Sequence, residues 1–283
     1  MLSALITTPP KASAAASASA DLPLAVGPHT TNTGFFALSA IARQDTALNV
    51  MNTVVTLIAA DPIVETCVDA VCSALGGEPV WLAEGIACDI ASNLPPDAAE
   101  FAARKIAGAE ALDIAAQPVA GRRKRLLVAD MESTIIENEM LDELADELGL
   151  RAEIATITAR AMRGELDFEG AIRERVAMLA DLEEEALLRS EAKIRIMPGA
   201  PELVATMKAY GAACALVSGG FEFYTRRIRE RLGFDTDQAN RLEIRDGRLT
   251  GLVVPPILGR NAKKAALERL AAKHGISIKD AIT

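Results

Sequence analysis

Leu126-Leu127-Val128-Ala129-Asp130-Met131-Glu132-Ser133-Thr134 is the stretch on which the fold turns. Four consecutive apolar residues ending in a carboxylate describe a strand buried on both faces, as at the centre of a parallel sheet, with Asp130 delivered at its C-terminal edge. In open α/β sheets that edge is where ligands bind. Two carboxylates two residues apart, then two hydroxyls, leave this strand on a loop, and the pattern suits phosphoryl transfer. One carboxylate can attack phosphorus, the second can protonate the leaving oxygen and then activate water, and both need Mg²⁺ to let one anion approach another. Taken alone, the same residues also read as a strand end followed by an ordinary capping Asp or Ser.

Downstream, a second apolar strand over Ala213 to Val217 runs into Ser218-Gly219-Gly220-Phe221, a strand-to-helix turn that offers a phosphate a hydroxyl and free N–H groups. Asn261-Ala262-Lys263-Lys264 then opens a helix whose lysine can balance phosphate charge. Singly these are common features; their order after Asp130 is specific. Between the two strands, residues 137–197 carry helical periods: Met140, Leu141, Leu144 and Leu148, then Ile172, Val176 and Leu179, punctuated by Gly164 and Gly170. They predict a small helical cap over the strand edges. Arg175 lies beside the apolar stripe, where its guanidinium could clamp a carboxylate, or else it shares a charged exposed face with Arg173 and Glu174.

Upstream, residues 51–121 read as strand (Val54 to Ala59), helix (Val64 to Leu75), strand (Val80 to Leu82), strand (Ile86 to Ala91), helix (Ala98 to Ile106) and strand (Leu112 to Ala115). This is a small α+β domain with Leu94-Pro95-Pro96-Asp97 as loop and N-cap of its second helix, and no catalytic constellation. A regulatory or dimerising module and a plain structural add-on are both open. Residues 1–50, with only Ala and Ser over Ala12 to Ala20, read as a disordered leader, or as an upstream extension if Met51 is the effective start. Arg122-Arg123-Lys124-Arg125 reads as a solvated linker.

Composition narrows the class. The chain has 283 residues, 50% of them apolar, with a net charge of −9. That is enough to bury a large core, and it argues against a nucleic-acid or anionic-membrane surface. No stretch reaches the roughly 18 apolar residues of a spanning helix. Cys67, Cys72, Cys88 and Cys214 lack CxxC pairing and nearby histidines, which favours buried thiols in a reducing cytoplasm over zinc or disulfides.

From Leu126 to the C-terminus the sequence resembles the phosphoserine phosphatases of the haloacid-dehalogenase (HAD) superfamily. The resemblance lies in Asp130 to Thr134, Asn138 to Glu143, Ala161 to Phe168, Arg173 to Val176, Pro198-Gly199, Ser218 to Phe221 and Lys263. It implies a HAD-like Rossmannoid parallel sheet with a helical cap over about 137–197, preceded by an ACT-like α+β domain at 51–121. It implies hydrolysis of phosphoserine, the last step of serine biosynthesis, through an aspartyl-phosphate with Mg²⁺. By position, Asp130 is the nucleophile and Glu132 the acid/base, both also at the metal. Glu139 and Arg175 grip the substrate's ammonium and carboxylate, Met162 and Phe168 shape the pocket, and Ser218, Gly219 and Lys263 hold phosphate. A cytoplasmic enzyme, with a homodimer as a further expectation, completes the picture. Two departures stand out. The family has Asp where this chain has Glu132, and a GDGxND-like motif that brings another Asp to Mg²⁺ is absent before Thr283. The ending predicts an unpaired apolar edge beside the Leu126 strand and little activity. Rival readings are a weakly active or inactive binding module and another small-molecule phosphatase of the superfamily.

Overall fold

A computed structural model describes residues 51–259 and 261–283. The reading of residues 1–50 lies outside them. The chain divides between Arg123 and Lys124 into two units.

The first unit runs β1 (Thr53–Ala59), α1 (Glu65–Leu75), β2 (Pro79–Ala83), β3 (Ala87–Ser92), α2 (Pro96–Ala107) and β4 (Leu112–Pro118). Its sheet has the order β2-β3-β1-β4 and is antiparallel throughout. Strand alternation sends Val55, Leu57, Cys88, Ile90 and Ile114 to one face, where Val68, Val71 and Leu75 of α1 and Ala99 and Ala103 of α2 cover them. The second helix begins at Pro96, not after an Asp97 cap, because proline's fixed φ and missing N–H suit the first helical position; Asp97 sits in the first turn, where its charge favours the dipole. Gly77 brings backbone against backbone: a Cβ there would lie 2.1 Å from the Ala91 carbonyl oxygen. Asp89 is fully buried, yet both oxygens of its carboxylate are hydrogen-bonded. Arg122 donates to both its oxygens at 2.6 and 2.8 Å, and the Thr56 hydroxyl donates at 2.7 Å.

The second unit is α/β. After β5 (Leu126–Ala129) come α3 (Met140–Glu147), α4 (Arg151–Met162), α5 (Phe168–Ala177), α6 (Glu185–Glu191) and α7 (Ala200–Ala209). Then follow β6 (Ala213–Phe221), α8 (Glu222–Leu232), β7 (Thr236–Arg245), β8 (Arg248–Val254), α9 (Ala262–His274) and β9 (Ala281–Ile282). The sheet order is β8-β7-β6-β5-β9, parallel except for the β7–β8 hairpin. Alternation along β5 and β6 puts Leu127, Ala129, Cys214 and Leu216 on one face and Leu126, Val128, Ala215 and Val217 on the other, the latter packed on Ala266, Leu270 and Ala271 of α9. Both faces of β5 are buried, which is why its sequence is apolar without alternation.

The edge expected beside β5 is partly closed. Ala281 and Ile282 pair with Leu126 and Leu127, and Arg125 N–H donates to the Asp280 carbonyl at 2.7 Å, so a two-residue strand covers the first half of β5. Val128 and Ala129 have β6 as their one strand neighbour among the described residues and are still only 1% and 4% exposed, because helices shield their side chains.

Helices α3 to α6 form the cap. The chain leaves and re-enters the core through one seam, where Ile136 and Ile196 bridge and Asn138 accepts the Arg195 N–H at 2.8 Å. A buried hydrogen bond of 2.6 Å between Ser190 on α6 and Tyr224 on α8 ties the cap to the core. Met140, Leu141 and Leu144 are buried as their period requires, but Leu148 is 39% exposed because α3 ends one residue before it. Among the described residues no helix is long and apolar enough to cross a membrane.

Candidate active site

Asp130 follows β5 directly, at the carboxyl edge of the parallel strands. Its Oδ1 accepts the Met131 N–H at 2.9 Å, and its Oδ2 is ion-paired with Lys263 Nζ from the first turn of α9. The loop after it is rigid for a local reason. Ile135 and Ile136 donate to the Met131 carbonyl at 2.8 and 2.9 Å, and Met131, Ile135 and Ile136 are buried. The turn forces Ser133 into left-handed backbone at φ 52°, and its hydroxyl donates to Glu139 Oε1 at 2.7 Å.

Glu132 reaches the start of the cap. Its Oε1 accepts the N–H of Met140, the first residue of α3, at 3.0 Å, and Ser218 Oγ approaches Oε2 at 3.4 Å. Burial pushes this carboxyl up to about 7, helped by the negative charges of Glu139 and Asp130 and opposed by the Met140 and Ser218 hydrogen bonds. The extra methylene of Glu over Asp finds its space over Gly220, where a Cβ would fall 2.5 Å from Glu132 Oε2.

The glycines of Ser218-Gly219-Gly220 are therefore required for room. Neither has positive φ. A Cβ on Gly219 would stand 3.1 Å from the ring of Phe168, which reaches down from α5 and also lies 3.8 Å from the Cβ position of Gly259. The segment differs from the turn read in the sequence: it belongs to β6, and α8 starts immediately after it. The Gly220 N–H is not free, since it donates to Ser218 Oγ at 2.9 Å.

On α5, Arg173 pairs with Glu169 and Glu174 with Arg160 at the surface, whereas Arg175 turns inward. Its Nε donates to the Ala171 carbonyl at 3.2 Å, and it forms no ion pair among the described residues. Desolvation holds its guanidinium below its ordinary range, against the pull of Glu132, Asp142 and Glu139. Asp130, Glu132, Glu139, Phe168, Arg175, Ser218, Gly219 and Lys263 thus line one cavity of about 290 Å³. Met162 does not. It is 85% exposed, because the buried stripe of α4 runs through Ile154 and Ile157, and Met162 falls off that stripe at the last helical position.

Residues 127–283 match the family model of haloacid dehalogenase-like hydrolases. The chain belongs to that family. It is 45% identical over 185 residues to a phosphoserine phosphatase of Archaeoglobus fulgidus, covering 64% of this chain and 54% of the relative. It is 40% identical to one of Methanocaldococcus jannaschii, covering 57% and 76%. A solved phospho-aspartyl intermediate analogue of phosphoserine phosphatase superposes with a TM-score of 0.53 at 41% identity, over 56% of this chain and 77% of that one. The chain spans little more than half the length of the first of these relatives.

Among the described residues no group of three or more His, Cys, Asp or Glu is arranged to hold a metal ion. Mg²⁺ asks for less when phosphate is present: one or two carboxylates, phosphate oxygens and water suffice. Asp130, open to the cavity, meets that requirement as the side-chain ligand. The Glu132 side chain, also expected at the metal, has one oxygen accepting the Met140 N–H and the other packed against Gly220. The buried Asn240 was not singled out from the sequence. An Asn inside a strand, where that residue is disfavoured, was the available signal for it.

Proposed function

We propose that the second unit hydrolyses phosphoserine to serine and inorganic phosphate by way of an aspartyl-phosphate. The observation that carries this reading is that a half-buried, unpaired Arg175 shares one cavity with the Asp130–Lys263 pair. The cavity has a cation for a carboxylate at the cap side and a nucleophile with a phosphate-balancing cation at the sheet side. Glu139, also in the lining, supplies the anion for an ammonium group. The names of the relatives agree.

In the forward step an Asp130 oxygen attacks phosphorus and the bond to the serine oxygen breaks, its electrons leaving on that oxygen. Glu132 in its protonated form delivers the proton, leaving serine and a phosphorylated Asp130. In the second step Glu132, now a carboxylate, takes a proton from water while the water oxygen attacks phosphorus, which returns Asp130 as a carboxylate and releases phosphate. Lys263 balances the phosphoryl charge, Ser218 offers its hydroxyl, and Phe168 excludes water from above. Asp130 and the main chain at Glu132 would hold Mg²⁺, which supplies charge neutralisation when bound. Four free thiols support a reducing, cytoplasmic setting.

The test is phosphate release from phosphoserine with Mg²⁺ by the full chain and by Asp130→Asn. The expected result is Mg²⁺-dependent turnover that the substitution abolishes, a loss of at least ~10³-fold. Turnover equal to wild type in a sample shown by mass to be undeamidated would overturn the assignment.

A further inference from the structure

Asn240 lies on β7 and is 1% exposed, an unusual place for a carboxamide. Its position is explained by the sheet register. Val217 pairs with Gln238 and Phe221 with Asn240, so β6 advances four residues (217 to 221) while β7 advances two (238 to 240). Residues Ser218 to Gly220 therefore stand out of the ladder as a bulge. Main-chain groups in a buried bulge lose their strand partners and must find others. Asn240 supplies one: its Nδ2 donates to the Gly219 carbonyl at 2.8 Å. Its Oδ1 accepts the Leu258 N–H at 2.7 Å, with a longer approach of Nδ2 to the Leu258 carbonyl at 3.5 Å. A planar amide with a donor on one side and an acceptor on the other can hold two backbones at a fixed separation; no hydroxyl, carboxylate or ammonium offers that pair of functions at that span.

The two backbones it joins run into two of the segments that line the cavity. One carries Ser218 and Gly219; the other continues from Leu258 into Gly259, and the lining residues Ala262 and Lys263 follow it in sequence. Asn240 itself does not line the cavity. We propose that Asn240 is a positioning residue that sets the distance between these segments, and so the fit of the cavity to a phosphate monoester dianion. The inference rests on the phosphatase reading above and adds to it the residue that spaces the phosphate site. A residue that merely satisfied the bulge would contribute stability and leave the anion fit untouched. Asn240 differs in that all its hydrogen bonds end on the two segments that bear the phosphate-facing groups.

The experiment titrates inorganic phosphate, at fixed Mg²⁺, into the full chain and into Asn240→Ala, Asn240→Asp and Lys263→Ala, with circular dichroism and thermal unfolding on the same samples. Asn240→Asp keeps the volume and the acceptor for Leu258 but loses the donor to Gly219, so it decides the matter if Asn240→Ala does not fold. Phosphate affinity should fall on the order of 10- to 100-fold in both Asn240 variants, as a displacement of about 1 Å at a preorganised site does, in protein that retains its native spectrum. Wild-type affinity in folded Asn240 variants, with weakened binding in Lys263→Ala, would overturn the role of Asn240 and leave the phosphatase reading standing. Absence of phosphate binding in the wild type, with Lys263→Ala no different, would overturn that reading and this inference with it. Loss of the fold in both Asn240 variants would make the residue structural and overturn the proposal.

Discussion

Asp89 in the first unit and Arg175 in the second are both charged side chains set within protein, and they are treated in opposite ways. Around Asp89 both carboxylate oxygens are answered, by two Arg122 nitrogens and a threonine hydroxyl. Around Arg175 three carboxylates attract the charge but none pairs with it, and desolvation weakens it. The same contrast runs through the whole of each unit. The first encloses Asp89, its one fully buried carboxylate among the described residues. The second leaves Asp130, Glu139 and Arg175 facing a cavity and holds Glu132 near neutrality. A buried charge that the fold satisfies belongs to the fold. One that it leaves unanswered at a concave surface waits for a ligand.

The largest test of this contrast is to remove Asp89. Asp89→Ala strands Arg122, whose side chain keeps 27% of its exposure, so the loss should fall somewhat below that of a fully enclosed pair, at about 2–4 kcal/mol. Trp81, the single tryptophan of the chain, lies in β2 and reports the unfolding of this unit. Urea denaturation followed by its fluorescence should show a markedly lower midpoint. An unchanged midpoint would mean that the buried pair contributes specificity without stability.

Arg175→Ala should do the reverse: remove function at little cost to the fold. With no partner to strand, its loss relieves desolvation and leaves thermal stability nearly unchanged, within about 0.5 kcal/mol. KM for phosphoserine should rise on the order of 10- to 100-fold, while a phosphate ester lacking the carboxylate is hydrolysed as before, because a clamp acts only on a group that is present. Equal effects on both esters would make Arg175 a structural cation like Arg122.

What could be read from the sequence follows the same division between local and distant causes. The β5 strand was legible because burial on both faces leaves no polar position in Leu126 to Ala129, and Asp130 then marks the sheet edge by polarity alone. Ser218-Gly219-Gly220 was found in the right place for a wrong reason. The sequence suggested a strand-to-helix turn with free N–H groups, whereas the glycines sit in strand and are needed because Glu132 and Phe168 press on them from 88 and 51 positions earlier (220 to 132, 219 to 168). Asn240 was missed because its partners, 21 and 18 residues away, are set by register and by a loop that carries no periodicity. Met162 was placed in the pocket by motif resemblance, yet helical phase puts it outside in this arrangement. Position along an element can be read from pattern, but what a side chain meets across elements cannot.

The smallest expected effect concerns groups that both units enclose without using. Cys88 and Cys72 in the first unit and Cys214 in the second are buried, and burial pushes their thiols up to about 12, 11 and 11. A thiol raised in the native state contributes stability that is fully present below its unfolded value, near 8.5, and is lost as pH rises toward the native value. Between pH 8 and pH 9.5 the unfolded chain ionises Cys88 while the native chain does not, so unfolding gains about 1 kcal/mol from this thiol alone. Lysines and tyrosines titrate nearby in pH, so the measurement must subtract them. Comparing wild type with Cys88→Ala by Trp81 fluorescence does so, since those groups are common to both. The variant is less stable at pH 8 because of the cavity it leaves, and the gap should narrow by about 1 kcal/mol at pH 9.5. A gap that stays constant would show that the native protein lets the Cys88 thiolate reach water, and so that the core of the first unit opens on the timescale of ionisation; the contrast between an enclosed first unit and an open second one would then fail at the residue where it is meant to be strongest.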